Sequence, residues 1–147
     1  MPLAGDIIRA SDVNPDAWLT YTPVWTASGT AVSLGNGTIS GRYYQAGALV
    51  HVTIVFTPGS TTTFGTAFYR FTLPVTPALN GLIPGFADDV SATRRYRLVA
   101  RITAASATDD NMRIACDDGV SGGAGPTAPF TWANGDTLIL SGAYEPA

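Results

Sequence analysis

The sequence has no lysine, one cysteine and one histidine, and only 13% of its 147 residues are charged. Each shortage closes off a class of function. A lone cysteine, Cys116, forms neither an intrachain disulfide framework nor a multi-cysteine zinc site. Its strand-like setting, Arg113-Ile114-Ala115-Cys116, reads as that of a small buried hydrophobe. Positive charge rests on arginine alone, the net charge is −3 and the pI is near 4.7, which disfavours a broad nucleic-acid-binding face. No apolar run reaches the roughly 18 residues of a membrane span. The opening MPLAGDIIRASD lacks the basic region and apolar block of a secretory signal, so the chain is expected to be made in a cytoplasm and to meet no membrane. No stretch shows the 3.6-residue periodicity of a helix.

What is present is alternation. In Leu49 to Thr57, Val50, Val52, Ile54 and Phe56 point one way and His51, Thr53, Val55 and Thr57 the other, which predicts a half-buried strand. Before it, Gly35-Asn36-Gly37 predicts a turn, Ile39 to Gln45 reads as extended with a bulge or close backbone approach at Gly41, and Ala46-Gly47-Ala48 breaks the run. Trp18 to Thr26 reads as a first strand, Ala67 to Leu73 and Tyr96 to Ala104 as further strands, Phe86 to Val90 as a short one, Met112 to Cys116 as a return strand and Thr137 to Tyr144 as the last. Pro77 to Gly85 and the Gly/Ser/Pro-rich Asp117 to Pro129 read as loops, the latter exposed. Seven to nine strands with closely spaced turns predict an antiparallel β-sandwich or jelly roll over residues 20–147. Residues 1–19 read as an N-terminal arm for anchoring or oligomerisation, because Ile7, Ile8, Val13 and Trp18, with Arg9 among them, would be wasted in solvent.

Candidate chemistry is sparse. A triad is recognised by geometry rather than by residue count, so His51 is read as a strand histidine satisfied by a neighbour or facing a subunit interface. The pairs Asp88-Asp89, Asp109-Asp110 and Asp117-Asp118 are read first as turn residues; calcium ligation and paired-carboxylate glycoside hydrolysis are the alternatives. Gly119 to Gly125 is glycine-rich but is followed by no Gly-Lys-Ser/Thr, so it is no phosphate loop. Arg95, Arg97 and Arg101 share a strand face and are read as an interface to aspartates of a neighbouring copy. Trp18, Trp25, Tyr43, Tyr44, Tyr69, Tyr96, Trp132 and Tyr144 are aromatics that could form a sugar-stacking platform, with Tyr69, Tyr96 and Trp132 the glycan-facing candidates; aromatics in a β domain serve core or interface more often than ligand. No cofactor and no metal site is expected.

Several strings carry a resemblance. Tyr21-Thr22-Pro23-Val24-Trp25-Thr26 and Gly35 to Tyr43 resemble a domain of tail and fibre proteins of tailed bacteriophages, especially those of actinobacteria. So do Ser60 to Gly65 with Phe71-Thr72-Leu73-Pro74-Val75, and Pro129 to Asp136 closing in Ser141-Gly142-Ala143-Tyr144-Glu145. The opening Ala4 to Asp12 is similar to the start of many minor tail proteins. The resemblance implies a β-sandwich, commonly trimeric, in the virion, as a minor tail or fibre component with host-surface glycan as an expected partner. Capsid decoration and, in another class, a free carbohydrate-binding module remain as alternatives. The expectation is a binding protein and not an enzyme.

Overall fold

The structure, a computed structural model, describes residues 17–104, 111–116 and 123–147, with backbone alone for 111–116. It is an antiparallel β-sandwich, with no helix among the described residues. The strands are β1 (Leu19–Tyr21), β2 (Trp25–Ala27), β3 (Thr38–Ala46), β4 (Leu49–Thr57), β5 (Tyr69–Thr72), β6 (Gly81–Asp89), β7 (Arg94–Ile102), β8 (Asn111–Cys116) and β9 (Thr137–Tyr144). They form one hydrogen-bonded ladder in the order β1-β3-β4-β9-β6-β7-β8-β5-β2. That ladder supports the sandwich; the jelly-roll alternative draws no separate support from it.

Local chemistry sets the hairpins. Ala46 pairs with Leu49, so Gly47-Ala48 is a two-residue loop, and Gly47 takes the positive φ of 58° that such a loop needs. The turn from β6 to β7 is held by Asp89, whose Oδ1 accepts from the Ser91 hydroxyl at 2.7 Å and the Ala92 N–H at 2.9 Å. Asp136 is buried and ties two turns together: its carboxylate accepts from Val90 N–H at 3.0 Å and Ala133 N–H at 2.7 Å.

The alternation read in β4 is the alternation of the fold. Val50, Val52, Ile54 and Phe56 are fully buried, joined by Leu138 and Leu140 of β9, Ile83 and Ala87 of β6, and Leu98, Ala100 and Ile102 of β7. From the other side come Trp25, Tyr69, Phe71, Phe130 and Trp132. Phe56 is the meeting point, with ring centroids 4.7 Å from Trp25, 5.9 Å from Phe71 and 6.1 Å from Trp132.

Three sequence expectations are corrected. Trp18 to Thr26 is not one strand but two, and β1 and β2 lie at opposite ends of the ladder. Pro23, buried at the break, has no N–H for a ladder bond. Second, β6 begins at Gly81, inside the stretch read as loop, and contains Pro84. Proline is tolerated there because pairing of β6 to β9 starts only at Gly85, and Gly142 of β9 leaves room for the Pro84 ring. Third, Gly123 to Gly125 is buried rather than exposed: Ala124 is in the core and its carbonyl accepts from Tyr69 N–H at 2.8 Å. A Cβ at Gly123 would collide with the Phe68 ring, so only glycine lets this backbone approach. The close approach expected at Gly41 is present, because a Cβ there would enter the Tyr21 ring.

Among the described residues, the buried Tyr69 hydroxyl has no hydrogen-bond partner. An orphaned hydroxyl costs desolvation that a ring hydrogen does not. Tyr69→Phe is therefore expected to hold or raise the unfolding free energy measured in urea, by up to about 1 kcal/mol. Phe56→Ala, which empties the centre of the aromatic cluster, is expected to cost about 3–5 kcal/mol. A large loss in Tyr69→Phe would show that the hydroxyl has a partner.

Candidate interaction face

The side chains between the core positions of six neighbouring strands point out onto one surface. Register fixes who stands beside whom. Arg42 is opposite Thr20 and Thr53; Tyr44 is opposite His51; Ser141 is opposite Thr53. Ile139 lies between Val55 and Phe86, Phe86 is opposite Arg97, Asp88 is opposite Arg95, and Leu82 is opposite Arg101. Asp88 is an acidic residue on this face, which also carries Arg42, Arg95, Arg97 and Arg101.

At the β1 end the aromatics gather. Trp18, 44% exposed, meets Tyr44 edge-on at 4.8 Å and His51 at 5.7 Å between centroids. Tyr44 stacks on His51, with planes 13° apart. The Arg42 guanidinium lies over Trp18, 4.7 Å from the ring centre. Ser141 Oγ is hydrogen-bonded to His51 Nε2 at 3.3 Å and to Thr53 Oγ1 at 3.0 Å. Beside this cluster a groove of about 340 Å³ is lined by Thr20, Ser40, Gly41, Arg42, Thr53 and Val55.

At the β6–β7 end, Arg95 grips Asp88 with both ends of its fork, Nε to Oδ1 at 2.6 Å and Nη2 to Oδ2 at 2.9 Å, and lies 4.3 Å from the centre of the Phe86 ring. Among the described residues no carboxylate pairs with Arg97 or Arg101. Leu82, 64% exposed, stands beside Arg101.

The structure redistributes the sequence candidates. Trp18 and His51, assigned separately to arm and interface, are in contact. Arg95, Arg97 and Arg101 do share the outward face of β7. Tyr69 is fully buried and Trp132 is 4% exposed, so neither faces a glycan; both close the core around Trp25 and Phe56. Tyr96 is half-buried against Phe130, centroids 5.2 Å apart, beneath Arg94, so it forms no platform with the other two. Ile7, Ile8, Arg9 and Val13 lie outside the described residues, as do Asp109-Asp110 and Asp117-Asp118. Of the acidic pairs, Asp89 does the turn work expected, whereas Asp88 serves an ion pair across the hairpin.

Sequence reading missed Arg42 and Ser141, and it named Tyr44 among the aromatics without its contact to His51. The Arg42 and Tyr44 placements were within reach: once the loop is Gly47-Ala48, counting back places Tyr44 opposite His51 and Arg42 opposite Thr53. Ser141 required the nonlocal pairing of β4 with β9. Also passed over was Gly119-Val120-Ser121-Gly122-Gly123, which spells G-x-S-x-G. Ser121 lies outside the described residues, and a nucleophile elbow needs a strand-to-helix turn where the described residues contain no helix. No described carboxylate hydrogen-bonds His51, and no three His, Cys, Asp or Glu residues cluster as a metal site among the described residues. The face offers cation, hydroxyl and aromatic surface, which is equipment for binding. Compared with protein-family models, curated proteins and solved structures, the chain matches none.

The hydrogen bonds from Arg95 hold Asp88 below the usual carboxylate range, and those from Ala92 N–H and the Ser91 hydroxyl do the same for Asp89. The native state therefore resists protons that the unfolded chain accepts near about pH 4. This contribution is complete above that pH and is lost as pH falls from there through the lower folded-state values of the two carboxyls. Urea midpoints measured from neutral to acid pH should fall along this limb, and Asp89→Asn should flatten it. An unchanged limb in Asp89→Asn would remove Asp89 from this role.

Proposed function

We propose that this chain is a non-enzymatic structural protein of a tailed-bacteriophage particle. In this reading it is a β-sandwich self-associated as a homotrimer, displayed on the virion exterior as a minor tail or fibre component, with other virion proteins as its neighbours. The particle assignment is supported by the resemblance of the strings between Tyr21 and Glu145 to phage tail and fibre domains. The self-association is supported by the outward strip of β6 and β7.

One observation carries it. Leu82 is 64% exposed in a row with Pro84, Phe86 and Val99, bordered by Arg97 and Arg101, which no described carboxylate neutralises. An apolar row flanked by arginine forks has the composition of an interface centre, where arginine and aromatics are enriched and lysine is depleted. A monomer would leave that row in water. Buried in a copy–copy contact, it gains area and gives the forks partners.

Sedimentation of the full chain should give a species near three times 15.3 kDa that dissociates on dilution. Leu82→Arg should weaken the association by at least about tenfold, since it sets a second cation beside Arg101 with no carboxylate for either among the described residues. A lone monomer at every concentration would overturn self-association. On purified particles that carry the chain, a specific antibody should decorate the tail. Decoration over capsid threefold positions would move the protein to the head, and no decoration would remove the particle reading.

A further inference from the structure

Two grooves on the described surface contrast in how their charges are satisfied. The one at the β6–β7 turn, about 500 Å³, is lined by Asp88, Asp89, Val90, Thr93, Arg94 and Arg95. Its carboxylates are already bonded, Asp88 to Arg95 and Asp89 to Ser91 and Ala92. The groove over β1, β3 and β4 is different. Its cation, Arg42, has no carboxylate partner among the described residues, and Asp88, an acid on the same outer surface, is tied to Arg95 on β6 and β7.

We propose that the groove over β1, β3 and β4 is a binding site for an acidic sugar, a pyranose carrying a carboxylate. Arg42 supplies the planar fork that a carboxylate takes with two parallel hydrogen bonds, and its stacking over Trp18 holds the guanidinium in place beforehand. Thr20, Ser40 and Thr53 line the groove, and Ser141 joins them through its bond to Thr53. A hydroxyl both donates and accepts, which is what a ring of sugar hydroxyls demands. Trp18, 44% exposed and packed against Arg42, Tyr44 and His51, adds apolar surface next to the groove's cation. The volume of about 340 Å³ is at the small end of ligand sites and suits a short saccharide rather than a large molecule.

A peptide is the poorer fit. The groove lies on the face of the sheet, where β4 is paired on both sides and β3 is paired with β4 along its length and with β1 from Gly41 to Tyr43. An extended peptide is gripped along a sheet edge, and the edge strand at this groove, β1, is only three residues long, too short to grip one. The inference also stands apart from the particle assignment, since a sugar site works on a virion or on a free domain alike.

The test is titration of the full chain with sodium glucuronate, glucose and sodium acetate, followed by tryptophan fluorescence and calorimetry. Glucuronate is expected to saturate the site with a Kd on the order of 1 mM or tighter. Glucose should bind at least about fivefold more weakly, and acetate should show no saturation, because the fork and the hydroxyls act together. Arg42→Gln should weaken glucuronate by about tenfold, to the level of glucose, and leave the circular dichroism spectrum unchanged. Ser141→Ala, which keeps the fork, should weaken both sugars alike. Failure of glucuronate to saturate, or equal affinity in Arg42→Gln, would overturn the proposal. So would a change of oligomeric mass in Arg42→Gln without any sugar binding, which would assign the groove to a second copy. Glucuronate binding that appears only in the Asp12→Asn, Asp16→Asn double variant would assign it to the chain's own acidic N-terminal segment, and would equally overturn it.

Discussion

The fold depends on one covalent constraint. Tyr21 ends β1 and Trp25 begins β2, yet these strands occupy the two ends of a nine-stranded ladder. Four residues of chain span at most about 14 Å. A flat ladder of that many strands would put its ends roughly 38 Å apart. The sheet must therefore curl until its ends nearly touch, and residues 22–24 become a seam. Thr72 stitches it: its carbonyl accepts from the Tyr21 hydroxyl at 3.3 Å, its hydroxyl from Val24 N–H at 2.8 Å, and its own N–H bonds to the Val24 carbonyl at 3.1 Å. Closure brings Phe71 and Trp25 over Phe56, and the core follows from that.

Closure also sorts the side chains. Once the sheet has wrapped, one member of each alternating pair is sealed inside with the large aromatics. The other is left on an outer surface poor in charge and free of lysine. On that surface the two ends differ in chemistry. The β6–β7 end offers an apolar row between arginines, and the β1–β3–β4 end offers hydroxyls, aromatic edges and a guanidinium with no carboxylate partner among the described residues. From Arg42 on β3 to Arg97 on β7 is four strand spacings, roughly 19 Å, so the two ends have room to serve two different contacts.

How much of this was legible in the residues depends on range. Leu49 to Thr57 and Thr137 to Tyr144 declared themselves, because period-two alternation needs only neighbours in sequence. The Gly47-Ala48 loop was equally local. The break at Pro23 was not: Tyr21 and Trp25 look like one strand until their partners, Gly41 and Phe71, are known. Pro84 argued against a strand that exists because its neighbour's pairing begins one residue later. The candidate site suffered in the same way. Parity placed Tyr69 with Phe71 and Leu73 but did not say which way that face turns; the seam decides, and turns it inward. The Arg42 corner joins residues from β1, β3, β4 and β9, so alternation alone marks none of it.

The central claim is that the apolar strip on β6 and β7 is covered by another copy of the chain. A cysteine placed at Leu82, in a chain whose Cys116 is replaced by alanine, reports on that directly through its rate of modification by a small thiol reagent. The account predicts slow modification at high protein concentration and a steep rise on dilution into the monomer range. A rate that is fast and the same at every concentration would contradict it.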